Sequence, residues 1–195
     1  MKTATINTPL GLAVIEGDEN GIARISVSGE GNMAIEDVKP NRSLRPVRLT
    51  EPVRMTEPVL ITEPVMMTEP VGNTETPQEL QEAVLQLQEY FDGSRTEFSF
   101  KMAPNGTDFQ KKVWQQLLAI PYGTTLSYLD LARQLGDVKA IRAVAAANGK
   151  NPLWIAVPCH RVIGSDGSLT GYAGGLWRKK WLLEHENPSD QTSLF

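Results

Sequence analysis

Cys159 is the only cysteine among 195 residues, and a histidine, His160, follows it directly. A thiolate is a strong nucleophile, but a free thiol ionises only near pH 8.5, so a working cysteine needs a base or a cation beside it. His160 supplies the base. Neighbouring side chains on an extended chain point to opposite sides, so the pair needs either a turn at Cys159 or a water to carry the proton between them. Pro158 biases Val157 towards extended geometry, which makes Trp154–Val157 an expected short buried strand feeding a sharp bend. A lone cysteine is most often a small buried apolar residue. The position here, between a proline and His160-Arg161, argues against that, and the residues alone leave open a structural cysteine or a nucleophile of a hydrolase, a peptidase or a transferase. One cysteine excludes an internal disulfide framework. With Cys159, His160 and His185 as the only soft ligands, a four-ligand zinc site is not expected, nor is any other cofactor.

The elements that must hold this pair can be read from periodicity. The first 31 residues read as strand, turn and strand, with the turn over residues 17–21. Residues 50–71 contain TEPV four times at a period of six. Proline at that interval removes amide donors and holds each preceding glutamate extended, so the stretch at about 40–76 is expected as a low-complexity loop, not a helix or central strand. Helical periodicity resumes with Leu80, Val84, Leu87 and Phe91 on one face, stopped at Gly93. Thr107 and Gln110 form a capping box ahead of an apolar stripe of Phe109, Val113, Trp114, Leu117 and Ile120, which Pro121 ends. Ser127 with Asp130 can open the next helix, Gly136 breaks it, and Asp137 can cap residues 138–148. Two short helices across a glycine turn form a helix-turn-helix pattern. The second carries Arg142 and is rich in alanine, including Ala140, Ala143 and Ala147, which would let a nucleic-acid backbone approach closely. It ends at Asn148, Gly149 and Lys150.

Charge divides along the chain. Residues 1–100 carry 8 Lys+Arg against 16 Asp+Glu, whereas residues 101–180 carry 11 against 4. An acidic protein with a basic second half suggests that this half meets a polyanion. The start has no apolar signal region and no run is long enough to span a membrane, so a cytoplasmic protein is expected.

The stretch from Asn151 to Glu186, with its PCHRV signature at 158–162 and its Tyr-Ala-Gly-Gly loop at 172–175, closely resembles the O6-alkylguanine–DNA alkyltransferases. The likeness runs from about Gly106 to Glu186. It implies an N-terminal α/β domain at 1–100, a small ribonuclease H-like sheet plus helix. A mostly helical C-terminal domain at 101–186 follows, with a helix-turn-helix and then a flexible tail at 187–195. It also implies DNA repair: Cys159 takes the alkyl group from O6-alkylguanine, and from O4-alkylthymine, irreversibly and once per molecule, after the base is flipped through the minor groove. In that reading His160 deprotonates Cys159 through a water, Glu186 orients His160, Tyr128 donates to the guanine ring, and Asn151 braces the hinge. Arg142 fills the gap left by the base; Ala140, Ala143, Ala147, Asn148, Gly149 and Lys150 meet the DNA. Val162, Tyr172, Ala173 and Gly174 wall the pocket. Many members have serine where Ala173 stands, so only a backbone amide would reach O6 there. The rival is a thiol hydrolase or a non-catalytic Cys-His protein. The implied partner is double-stranded DNA bearing the lesion, met by a monomer without a membrane. The last five residues, Gln191 to Phe195, look like the glutamine-x-x-leucine-phenylalanine peptide that docks bacterial repair proteins on the sliding clamp.

Overall fold

The computed structural model describes residues 1–28 and 76–187. The TEPV repeat and the clamp-like tail lie outside the described residues. Strands Lys2–Thr8 (β1), Gly11–Asp18 (β2) and Gly21–Ser28 (β3) form an antiparallel sheet in the order β1-β2-β3. The sequence reading found only two strands, because Pro9 and Leu10 interrupt the alternation. They are instead a tight turn, in which the Thr8 hydroxyl donates to the Gly11 carbonyl (2.6 Å) and accepts from the Leu10 amide (3.2 Å). Alternation then buries Ala4 and Ile6 on β1 and Ala13 and Ile15 on β2. On β3 the inward residues are Ile22 and Ile25, three apart, which simple alternation forbids. A bulge opposite Glu16 and Gly17 resets the parity, pairing Glu16 with Arg24 but Gly17 with Ile22.

Helix Gln78–Phe91 (α1) covers this sheet. Its buried face is Leu80, Ala83, Leu87 and Tyr90; Val84 and Phe91, expected there, are only partly buried. Helix Asp108–Leu117 (α2) starts at the expected Thr107–Gln110 capping box and buries Val113, Trp114 and Leu117. Phe109 lies 41 % exposed at its start. The Trp114 indole donates to the Ala147 carbonyl (2.9 Å), which locks α2 onto the helix-turn-helix.

That motif consists of Tyr128–Gln134 (α3) and Ile141–Gly149 (α4), separated by Gly136 at φ +89° and a 3-10 turn over Val138–Ala140. Ser127 Oγ accepts from the Asp130 amide (3.0 Å) and Asp137 Oδ1 from the Lys139 amide (2.8 Å), as their spacing suggested. A parallel pairing of Leu126–Ser127 (β4) with Val162–Ile163 (β5) sets the start of α3 beside the segment that carries Cys159. Helix Leu176–Glu186 (α5) closes the order. The sheet and the helical half belong to one compact unit. Ile25 on β3 exchanges backbone hydrogen bonds with Pro152 (2.8 Å) and Trp154 (3.2 Å), so the approach to Cys159 is anchored on the sheet. No helix among the described residues is long and apolar enough to cross a membrane.

Candidate active site

The approach to Cys159 is not the strand expected for Trp154–Val157 but a pair of tight turns. The Ala156 amide bonds the Trp154 carbonyl (2.8 Å) across Ile155, whose φ of +71° is the only positive value outside glycine among the described residues. The Cys159 amide bonds the Val157 carbonyl (2.8 Å) across Pro158 at φ −80°, ψ 63°. The second is an inverse γ-turn, which proline's fixed φ suits; the first is the rarer, strained kind. A left-handed β-branched residue costs about 1–3 kcal/mol and persists only where its surroundings impose it. Asn151 is what imposes it. Its Oδ1 accepts from the Leu153 amide (3.0 Å), and its Nδ2 donates to the carbonyls of Val157 (2.7 Å) and Leu153 (3.3 Å), stapling the loop shut.

Beyond the turns, a 3-10 turn over Cys159–Arg161 sends His160 and Arg161 inward together. Both meet Glu186, at the end of α5. Glu186 Oε1 accepts from His160 Nε2 (2.8 Å), Arg161 Nη2 (3.0 Å) and the Tyr90 hydroxyl (2.8 Å); Oε2 accepts from Arg161 Nε (2.8 Å) and the Gly123 amide (3.2 Å). Burial alone would raise its pKa, but these donors and the two neighbouring bases outweigh that and hold the carboxyl far below the usual range. Glu186 is therefore always an acceptor, which assigns the His160 proton to Nε2. Burial lowers the His160 pKa, against the pull of Glu186, and His160 is wholly shielded from solvent. Its Nδ1 is buried with no hydrogen-bond partner. An imidazole neutral at pH 7, with a bare basic nitrogen, is poised to take a proton.

The thiol itself is buried, and burial raises its pKa; the nearby Asn151 amide, Lys179 and the Tyr172 hydroxyl pull the other way. Lys179 donates to the carbonyls of Val162 (2.6 Å) and Thr170 (3.0 Å), and burial lowers its pKa to about 8. Around Cys159 a narrow pocket is lined by Asn148, Asn151, Trp154, Tyr172 and Ala173. Val162, expected to wall the pocket, is fully buried and is not among the residues that line it. Gly174 lies against the Trp154 ring, where a Cβ would come within 2.4 Å of it. Tyr128 reaches the same place from α3. Its oxygen accepts from Asn148 Nδ2 (3.2 Å), and burial raises its pKa, so its proton is retained.

The chain thus brings Cys159, His160, Glu186, Tyr128, Asn151, Val162 and the 172–174 loop to one centre. On α4, Arg142, Ala143 and Gly149 are exposed, as is Lys150 just after it, and Ala140 just before it is half-buried. Ala147 and Asn148 depart from the expected outward face, being only 3 % exposed each. Asn148 instead spans from Tyr128 to the Cys159 carbonyl (3.3 Å). Helical spacing explains both, since Val144, Ala147 and Asn148 share the inner face. Sequence reasoning missed Arg161, Lys179 and Tyr90. Their partners, Glu186 for Arg161 and Tyr90 and the Val162 and Thr170 carbonyls for Lys179, lie far along the chain, so no local signal marked them.

Family models match both halves: residues 1–104 the 6-O-methylguanine DNA methyltransferase ribonuclease-like domain, and residues 108–188 the DNA-binding domain of the same family. This chain belongs to the 6-O-methylguanine DNA methyltransferase family. The constitutive methylated-DNA–protein-cysteine methyltransferase of Bacillus subtilis is 44% identical over 186 residues, covering 95% of this chain and 94% of the relative. The methylated-DNA–protein-cysteine methyltransferase of Methanosarcina barkeri is 53% identical over 112 residues, 57% of this chain and 71% of that one. Among solved structures, Mycobacterium tuberculosis OGT in complex with DNA matches with a TM-score of 0.68 at 36% identity, over 95% of this chain and 93% of that one. The α/β sheet half followed by a helical DNA-binding half is the architecture of this methyltransferase family.

Proposed function

We infer that this methyltransferase repairs O6-alkylguanine in double-stranded DNA by moving the alkyl group to Cys159. The observation that carries the reading is the neutral His160, bare at Nδ1 and fixed at Nε2 by Glu186, next in the chain to the only cysteine. A water between Sγ and Nδ1 passes the thiol proton to His160 as sulfur attacks the alkyl carbon. The S–C bond forms as the C–O6 bond breaks, and the electron pair of that bond enters the guanine ring, where the Tyr128 proton meets it. The product is a thioether. With no second thiol to remove the group, each molecule acts once, and O4-alkylthymine reacts in the same way.

A guanine inside a duplex cannot reach a pocket this narrow, so the nucleotide flips out through the minor groove at a cost of a few kcal/mol. Arg142 enters the stack in its place. Exposed Ala143, Gly149 and Lys150, with Ala140 beside them, let α4 lie close to the strand, and phosphate contacts offset part of the flipping cost. Asn148 acts from inside, holding Tyr128 to the Cys159 loop. The protein works as a cytoplasmic monomer. Duplex labelled on the O6-methyl group tests this: label should move to the wild-type protein and stay on DNA with Cys159→Ser. Release of label as a small molecule would instead mark a hydrolase.

The tail from Gln191 to Phe195 is proposed to tether the protein to a bacterial sliding clamp, with Leu194 and Phe195 in an apolar pocket. Micromolar affinity, roughly −8 kcal/mol, would suffice to raise its local concentration on new DNA. Titration of the clamp with the peptide should show binding that Leu194→Ala with Phe195→Ala abolishes; equal or absent binding refutes it.

A further inference from the structure

We propose that Tyr90, on the helix that covers the N-terminal sheet, is a positioning residue of the proton relay, its hydroxyl setting how strongly Glu186 can hold the His160 proton. Tyr90 is fully buried, and its hydroxyl donates to the same Oε1 that accepts from His160 Nε2, both at 2.8 Å. The residue is held at its other end too, because His185 Nε2 donates to the Tyr90 carbonyl (2.7 Å). Its ring sits among Phe91, Phe98, Tyr122 and His185 at centroid separations of 5.2–6.2 Å. Nothing about this geometry is required for sheet packing, for which phenylalanine would serve as well. A buried hydroxyl delivered across 96 positions of sequence to a relay carboxylate needs a different reason.

The reason lies in competition for one oxygen. If His160 becomes an imidazolium, Glu186 forms an ion pair with it, and part of the charge that holds the Tyr90 hydroxyl is spent. Tyr90 therefore favours the state in which His160 is neutral, which is the state that accepts the thiol proton. The other groups facing this pair are fixed in number. Arg161 contacts both carboxylate oxygens, and Lys179 on α5 adds positive charge near His160. Tyr122 and Tyr172 feel the Glu186 charge, and Cys159 adjoins His160 in the chain. Tyr90 is the one member of this group contributed by α1, so the N-terminal half tunes the chemistry of the C-terminal half.

The inference rests on His160 acting as the base, and its test separates the two ideas. The chain has only two histidines, so the His160 ring signal can be followed by NMR, with His185→Gln giving the assignment. Tyr90→Phe keeps the ring and removes the hydroxyl. The His160 titration midpoint should rise by about half to one pH unit, each unit being a tenfold change in the protonation equilibrium. The acid limb of the rate of alkyl transfer from free O6-benzylguanine should rise with it, costing about three- to tenfold below the wild-type midpoint. On the alkaline plateau the rate should stay near wild type. A fluorinated tyrosine at position 90, a stronger donor of similar size, should move the midpoint down. An unchanged midpoint in both variants, with or without a uniform loss of rate, would make Tyr90 merely structural and overturn the proposal. Failure of the wild type to react with O6-benzylguanine would count against the functional reading alone, since the NMR midpoint still decides the role of Tyr90.

Discussion

Replacing the Cys159 sulfur with oxygen changes one atom and leaves the buried pocket intact. Cys159→Ser should therefore abolish alkyl transfer while duplex binding, measured by fluorescence anisotropy, stays within about twofold of wild type; residual stoichiometric transfer would contradict the assignment. Arg142 is exposed on α4 and touches none of the groups around the thiol. Arg142→Ala should slow reaction with an O6-methylguanine duplex by about tenfold or more, equivalent to losing 1.4 kcal/mol or above, while leaving free O6-benzylguanine nearly unaffected. Equal losses on both substrates would make Arg142 structural. The residues legible in the sequence were those whose types carry chemistry in a recognisable order: Cys159, His160, Tyr128, Asn151 and Glu186. Arg161 and Tyr90 were not legible. Their roles depend on meeting Glu186 from 25 and 96 positions away, and nothing local in the sequence records such a meeting.

At the scale of elements, the loop from Asn151 to Pro158 does more than connect. It forces Ile155 into the left-handed region and turns the chain so that Cys159 and His160 leave it in usable directions. Asn151→Ala removes three hydrogen bonds from a buried site; the Leu153 amide loses its partner, while the Val157 carbonyl keeps only the Cys159 amide. The expected cost is about 2–4 kcal/mol, from one buried amide left without a partner and two further buried hydrogen bonds lost. Urea denaturation should show it, along with slower transfer to free base. A loss below about 0.5 kcal/mol would mean the turns hold themselves. The caps of α2 and α3 were legible because capping is local, Thr107 and Ser127 each bonding the amide three residues on; Asp137, expected to cap a helix over 138–148, caps only the 3-10 turn, and α4 starts after it. The supposed strand at 154–157 failed because apolar residues before a proline look extended, whereas tertiary bonds from Asn151 decided the backbone. The β3 bulge hid for a similar reason, since parity is reset by the partner strand.

For the molecule as a whole, the same buried relay couples stability to acid. His160 has its pKa lowered from 6.5, so the unfolded chain takes up a proton there that the folded one refuses as pH falls through 6.5. Glu186 has its pKa lowered from 4.5, so its contribution is present above that value and is lost progressively below it. Both effects have the same sign. The thermal midpoint should fall steadily from about pH 6.5 to pH 4, and Glu186→Gln should flatten the lower part of that slope. A midpoint independent of pH across this window would mean the relay is not buried as described. The coupling also joins the two halves, since Tyr90 and the contacts of Ile25 with residues 152 and 154 tie the sheet to the thiol loop. The central claim is a single, terminal transfer to one sulfur. Intact-protein and peptide mass spectrometry after incubation with excess O6-methylguanine duplex tests it most directly. The expected result is a gain of one methyl group per chain, located on Cys159, with one lesion lost for each protein molecule. An unmodified Cys159, or more lesions repaired than protein molecules present, would contradict it.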